Sequence, residues 1–387
     1  ENQVFRLFID ARSGAEVLRY SSIQNQSAIG TGRGLVGDTK KMSVRLQAGA
    51  YVADDPLRPP ILTTYDMRNN LTRALNVLNG APLFASDIAS DSDNSWTDVS
   101  AIDAHSHIGW TYDYYFKRHG RRGLDNRDRP LIALINAVSQ QGALSLPPEL
   151  LDLALNAFWC PECGPGAIGV MFFGNGIPST FTFGGQLVAP LAGSLDIVAH
   201  ELTHGVTSST SNLLPFNEPG ALNEAFSDMM GTATEFFFQV PGAAIGQADY
   251  LIGEDSFRAP GGAGLNGIRS MANPIVFGFP DHYSIRFTGP QDNGGVHINS
   301  TIPSHAYYLS VEGGRNRVSG LTVQGVGAAN REQIEKSFYR GFTLLLPASA
   351  NFSTARAATI QAARDLYGAN SAAATAITQA WAAVGVN

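Results

Sequence analysis

From Val4 to Tyr20 apolar and polar residues alternate around Ala11-Arg12-Ser13-Gly14, the pattern of a β-hairpin turning at Ser13-Gly14. A glycine-rich stretch, Gly30-Thr31-Gly32-Arg33-Gly34, follows, and strand-like runs recur at Met42 to Leu46 and Ile61 to Tyr65. After the polar run Ser86 to Asp98 the period lengthens, predicting a helix from Ser100 to about Arg118. A second glycine-rich region covers Gly164 to Gly185. Helical patterning then takes over, at Leu195 to Ser208, Gly220 to Phe238, Thr301 to Glu312, Arg331 to Leu345, Ser353 to Tyr367 and Ser371 to Val384. A strand-rich first half and a helical second half predict an α+β protein, with the seam near residue 213.

Composition narrows the class. A chain of 387 residues exceeds what one core usually serves, so two domains are expected. Charged residues make up only 15%, while Gly numbers 41, a balance suited to an extracellular protein built on bound ions and compact packing. The net charge of −7 argues against a nucleic-acid partner and is compatible with calcium, which needs clustered carboxylates. No apolar run approaches the roughly 18 to 20 residues needed to cross a bilayer, so no membrane partner is expected. The opening Glu1-Asn2-Gln3-Val4-Phe5 lacks the basic-then-apolar order of a signal peptide. The two cysteines, Cys160 and Cys163 in Cys-Pro-Glu-Cys, fit a local disulfide, with free thiols or a redox pair as the other readings.

The chemistry lies in the helical run. His200 and His204 are four apart in an apolar-periodic segment, which puts both imidazoles on one helix face, one turn apart, where they can share an ion. Glu201 lies beside that ion without binding it, placed to polarise water. On the next predicted helix Glu224 supplies a third ligand, completing a two-His, one-Glu set that leaves a coordination position open for catalysis by zinc. Asp228, one turn further, is spaced to accept the second ring N–H of a ligand histidine. Apolar neighbours (Ala221, Leu222, Ala225, Phe226) favour burial of both acids over a solvated acidic face.

Along nearly its whole length the chain resembles a thermolysin-like neutral zinc metalloprotease of the secreted bacterial (gluzincin) type. The motifs that carry the resemblance are Val198-Ala199-His200-Glu201-Leu202-Thr203-His204-Gly205-Val206-Thr207, Gly220-Ala221-Leu222-Asn223-Glu224-Ala225-Phe226-Ser227-Asp228 and Asp292-Asn293-Gly294-Gly295-Val296-His297-Ile298-Asn299-Ser300, with Asn156-Ala157-Phe158-Trp159 and Ile268-Arg269-Ser270-Met271 in the family's order. The resemblance implies a two-domain fold, a β-rich N-terminal domain (26–213) that includes the zinc helix and a mainly helical C-terminal domain (214–387), with the active-site cleft between them. It implies a secreted, monomeric endopeptidase cutting proteins or peptides on the amino side of large apolar residues, through a zinc-bound water activated by Glu201. By the same resemblance His297 stabilises the oxyanion, Asp292 orients it, and Asn156, Ala157 and Arg269 hold the substrate backbone.

Structural calcium is implied at Asp196, Glu235, Asp249 and Glu254, and a second, peripheral calcium at Asp91 and Asp93, where a polar turn is the competing reading. A further family site is weakened by Asn266, which stands where an aspartate is usual. Residues 1–25 resemble the end of an inhibitory propeptide, the mature chain then starting between Gln24 and Gly32. One departure stands out: the family usually places a tyrosine eleven residues after the second zinc histidine, and here Pro215 occupies that position. Either His297 takes more of the oxyanion load or another hydroxyl substitutes. The competing classes are a zinc-bound but catalytically feeble peptide binder, against which Glu201, His297 and Arg269 together weigh, and an exopeptidase, for which no motif that captures a free amine is evident.

Overall fold

The computed structural model describes residues 5–9, 14, 16–21, 26–262 and 264–387. The first two strands, β1 (Phe5–Ile9) and β2 (Glu16–Ser21), pair antiparallel as the alternating pattern predicts. Ser13 of the expected turn and Gln24, an expected limit of maturation, lie outside the described residues.

Downstream come β3 (Gln26–Arg33), β4 (Thr39–Gln47), β5 (Ala50–Val52), β6 (Leu62–Asp66), the short β7 (Ser90–Asp91) and β8 (Ser95–Trp96), then β9 (Leu131–Ile135), β10 (Ala157–Cys160) and β11 (Val170–Phe173). They build a five-stranded sheet in the order β7-β5-β4-β3-β8 and a four-stranded sheet in the order β10-β11-β9-β6. The alternation in β4 sends Met42 and Val44 into the core. By contrast, β9 (Leu-Ile-Ala-Leu-Ile) and β11 (Val-Met-Phe-Phe) are buried on both faces. Strands covered on both sides carry no alternation, which is why the sequence left them unassigned and why β11 was hidden in the second glycine-rich region. That region must be glycine-rich for local reasons. A Cβ on Gly174 would fall 2.4 Å from the Ala154 carbonyl oxygen, and one on Gly176, at φ +72°, would fall 2.0 Å from that of Val188.

The helices match the periodicity closely. They span Val99–His119, Leu195–Ser208, Asn217–Phe238, Thr301–Glu312, Arg331–Arg340, Phe352–Tyr367 and Ala372–Ala383. The expected helix from Arg331 to Leu345 changes character at Gly341, where a wide turn runs to Leu345 and the Leu346 N–H reaches the Gly341 carbonyl at 3.1 Å. Two short helices, Leu71–Leu78 and Pro148–Leu155, were not foreseen.

The result is an α+β, two-domain architecture with a β-rich N-terminal part and a mainly helical C-terminal part. The helix Leu195–Ser208 packs most extensively against Asn217–Phe238. Their close approach depends on Gly231, where a Cβ would lie 2.7 Å from the Asp196 carbonyl oxygen. Of the fourteen residues of Leu195–Ser208, only His204 and Ser208 escape full burial. That helix is a core element with one narrow stripe open, and the stripe faces the cleft.

Candidate metal centre

The α-helical rise brings the rings of His200 and His204 to one side, where their Nε2 atoms lie 3.0 Å apart. From the neighbouring helix Glu224 reaches both, at 3.3 Å from His200 Nε2 and 3.6 Å from His204 Nε2. Despite the 3.3 Å contact, buried Glu224 Oε2 has no hydrogen bond of adequate geometry. Two imidazole nitrogens and an unsatisfied carboxylate oxygen converging on one point fit a divalent cation in a His/His/Glu set.

Each ligand is held from behind. His200 Nδ1 is 2.9 Å from Asp228 Oδ1, and the same carboxylate takes two bonds from Arg269, Nε at 2.8 Å and Nη2 at 2.7 Å. His204 Nδ1 lies 3.1 Å from Asn223 Oδ1 and 3.2 Å from Ser227 Oγ. With both Nδ1 atoms engaged, the Nε2 lone pairs are directed at the shared point. Asn223 and Ser227, which no motif signal singled out, are four apart and so lie on one helix face, where both meet His204 Nδ1.

The charges of the cation-free site are strongly coupled. Burial opposes a charge on His200, but its bond to Asp228 and the nearby Glu224 carboxylate outweigh this and push its pKa up to about 10. Burial likewise opposes a charge on Glu224, but the histidines around it hold the carboxyl well below its usual range. Asp228, also buried, is kept low by Arg269 and His200.

Glu201 lies one residue from His200, 7% exposed, and its Oε2 accepts the main-chain N–H of Trp159 at 2.9 Å. This backbone donor has no signature in sequence. His297 stands 3.5 Å from Glu224 Oε2 across the cleft, its side chain 53% exposed. It sits after a run of left-handed residues, Asp292, Asn293, Gly294 and Gly295, with φ of +53°, +49°, +87° and +80°. That turn folds Asp292 back so that Oδ1 meets His297 Nδ1 at 2.6 Å while Oδ2 accepts the N–H groups of His297 and Ile298. The cleft, about 440 Å³, is lined by Asn156, Ala157, Arg269 and Pro215 as well as by the metal-site residues. Among its described lining residues Ser208 carries the one hydroxyl, and that hydroxyl is given to the carbonyls of His204 and Gly205.

The acidic residues expected to bind calcium are arranged differently from the expectation. Glu235, Glu254 and Asp255 bring one oxygen each within 4.8 Å of one another. All four carboxylate oxygens of the two glutamates, and Asp255 Oδ2, are buried without a partner. Asp255 was missed, although it adjoins Glu254 in sequence. Asp196 and Asp249 stand outside that closest set; Ile197 and Gly253 donate to the two oxygens of Asp196, while Leu251 donates to Asp249 and Gly246 to Asp255, one oxygen each. Burial, with neighbouring carboxylates, raises the pKa of every member: Asp196 to about 7, Asp255 to about 6, and Glu235 and Glu254 well above their usual value. Asp91 and Asp93 each accept a backbone N–H two residues on, from Asp93 and Ser95, the geometry of a polar turn, and no third acid joins them among the described residues. Asn266 Oδ1 accepts the Ala259 N–H and fastens its own loop. Cys160 and Cys163 form a disulfide, which resolves the alternatives left open by their spacing.

A two-domain α+β body with a His/His/Glu centre in its cleft belongs to the class of metallopeptidases. The comparisons narrow this further. The model described as the thermolysin metallopeptidase catalytic domain matches residues 29–208, and that of the thermolysin metallopeptidase α-helical domain matches 211–386. The chain belongs to the thermolysin family of metallopeptidases. It is 38% identical over 368 residues to bacillolysin of Bacillus cereus, covering 94% of this chain and 56% of that one. It is 38% identical over 369 residues to thermolysin of Alicyclobacillus acidocaldarius subsp. acidocaldarius, covering 94% and 58%. A solved structure of the precursor of protealysin, a metalloproteinase from Serratia proteamaculans, superposes with a TM-score of 0.62 at 28% identity, covering 85% of this chain and 88% of that one. The chain thus spans rather less than two thirds of the length of the curated relatives. No described helix is long and apolar enough to cross a membrane.

Proposed function

We propose that this protein is a secreted zinc-dependent endopeptidase that hydrolyses internal peptide bonds on the amino side of large apolar residues. The observation that carries the proposal is the convergence of His200, His204 and Glu224 on one point, with Glu201 at its side and His297 opposite. His200, His204 and Glu224 would hold zinc, which would supply Lewis-acid polarisation of the scissile carbonyl and of the attacking water. Glu201, held by the Trp159 N–H, accepts the water proton and returns it to the leaving amine. His297 donates from Nε2 to the oxygen that becomes negative, with Asp292 fixing the ring. With Pro215 in the cleft wall and the Ser208 hydroxyl already donated to backbone, His297 takes the share that the family's tyrosine would carry.

β10 is an edge strand, so its open side offers Asn156 and Ala157 to an extended peptide. Leu191, Ile197, Ile252, Phe257 and Ile268 give the cleft an apolar wall for the residue after the cut. Arg269 is committed to Asp228, so it binds substrate only with its remaining donors. Calcium would compensate the partnerless oxygens of Glu235 and Glu254 and the unpaired Oδ2 of Asp255, with Asp196 and Asp249 nearby. The disulfide and the likeness to a protease precursor support an extracellular enzyme, and the β1–β2 hairpin is read as the remnant of its own propeptide. The boundary between the domains is read at residue 213, just after the zinc helix ends at Ser208.

The test is cleavage of an internally quenched peptide by the zinc-loaded protein and by Glu201→Gln. Turnover is expected to fall about 100- to 10,000-fold with zinc content unchanged. A Glu201→Gln enzyme that keeps its turnover would overturn the assignment, as would unchanged turnover in His297→Ala for the oxyanion role.

A further inference from the structure

The Cys160–Cys163 bridge lies at the end of the strand that holds the catalytic base. β10 is hydrogen-bonded to β11 on one side only, in the register Trp159↔Met171 and Cys160↔Val170. On the open side the Trp159 N–H goes to Glu201 Oε2 at 2.9 Å, so the position of that peptide plane sets the position of the carboxylate. The next residue is Cys160, and the bridge ties it to Cys163 with the Cα atoms 5.3 Å apart. Little else closes this turn: the Cys163 N–H reaches the Cys160 carbonyl only at 3.4 Å, and Pro161 brings no N–H.

Beyond the bridge the chain is well anchored. The Gly169 N–H bonds the Cys163 carbonyl at 3.1 Å, and Arg129 bonds the carbonyls of Ile168 at 2.9 Å and Ala167 at 3.0 Å. The Trp159 indole fills the space above Gly169, where a Cβ would meet it at 2.4 Å. The disulfide therefore joins an anchored loop to a strand end whose ladder bonds run along one edge, and whose other ties are the Trp159 contacts with Glu201 and Gly169 and a long Arg129 Nη2 contact with the Pro161 carbonyl at 3.5 Å. Both cysteines are partly exposed, and Pro161 between them lines the cleft.

We propose that the Cys160–Cys163 disulfide is a positioning element of the active site: it locks the end of β10 so that the Trp159 N–H holds Glu201 in place, and the turnover number follows the redox state of the bridge. This rests on Glu201 being the base. Opening the bridge releases the strand end, and small displacements of a catalytic group carry large rate penalties. Asn156 and Ala157, at the other end of β10, stay fixed through the Gly174 N–H on the Asn156 carbonyl, so substrate binding is spared.

The test uses the full zinc-loaded chain and a trialkylphosphine, which does not depend on thiols that would compete for zinc. Phosphorus is oxidised as the bridge is reduced: phosphine, disulfide and water give phosphine oxide and two thiols. The expected result is two titratable thiols, unchanged zinc content, a kcat lowered by about tenfold and a KM within about twofold. Reoxidation restores kcat, and Cys160→Ser/Cys163→Ser shows the lowered kcat without responding to phosphine. Two titrated thiols with kcat unchanged would overturn the proposal, and so would a loss of activity that tracks loss of zinc. Failure of the underlying reading is seen separately, as retained turnover in oxidised Glu201→Gln.

Discussion

Asp228 is the residue whose removal should do most damage for its size. It is 1% exposed and receives three charge-assisted contacts, one from His200 Nδ1 and two from Arg269, itself 7% exposed. Asp228→Ala leaves a guanidinium buried with no counter-charge, a loss of about 3–5 kcal/mol where one partner of a buried pair is removed. It also frees the His200 ring to rotate, which should weaken zinc binding about 10- to 100-fold. Replacing both partners, Asp228→Leu with Arg269→Met, removes the stranded charge, so the double variant should be more stable than the sum of the single losses by about 2 kcal/mol or more. Zinc affinity should remain low in the double variant, because the support of His200 is still missing. The measurement is urea unfolding with calcium present and zinc removed by a zinc-selective chelator, in a Glu201→Gln background so that self-digestion is suppressed. An Asp228→Ala protein within about 1 kcal/mol of its parent, or strictly additive single variants, would refute the reasoning.

Gly231→Ala should force the two ligand-bearing helices apart at the Asp196 carbonyl, at a loss of about 1–3 kcal/mol with weaker zinc binding; full zinc affinity and unchanged stability would show that the contact relaxes freely. Chelating the calcium proposed at the Glu235–Glu254–Asp255 cluster should destabilise the protein more at pH 8 than at pH 5. The folded pKa values of Asp196 (about 7) and Asp255 (about 6) are raised, so without the cation their contribution to stability is complete below about pH 4 and is lost as pH rises through 6 to 7. Equal chelator-induced shifts in Tm at the two pH values would contradict this. On the acid side, burial holds His119 neutral down to about pH 3 and also lowers His105, His107 and His305. Depressed values mean stability present above pH 6.5 and lost as pH falls below it, for His119 as far as about pH 3, to be read as a falling unfolding midpoint; His119→Phe should flatten that slope.

What the sequence determined on its own is what depends on nearby residues. Helical spacing puts His200 and His204 on one face and Glu224 one turn before Asp228, and a 3.6-residue period carries that information without help from the rest of the chain. The Leu195–Ser208 and Thr301–Glu312 helices were readable to the residue for the same reason. Tertiary structure decided what long-range contacts control. Strands β9 and β11 show no alternation because helices and loops cover both their faces. Which acids face one another without partners was settled by the tertiary packing: backbone amides fill both oxygens of Asp196, while both oxygens of Glu235 and Glu254 and one of Asp255 are buried with none, a count that residue types cannot supply. The hand on Glu201 is a peptide N–H 42 residues away, common to every residue but proline and so invisible in composition. Spacing along a helix is local and written in the order of residues; burial and the pairing of backbone groups exist only once the chain has closed on itself.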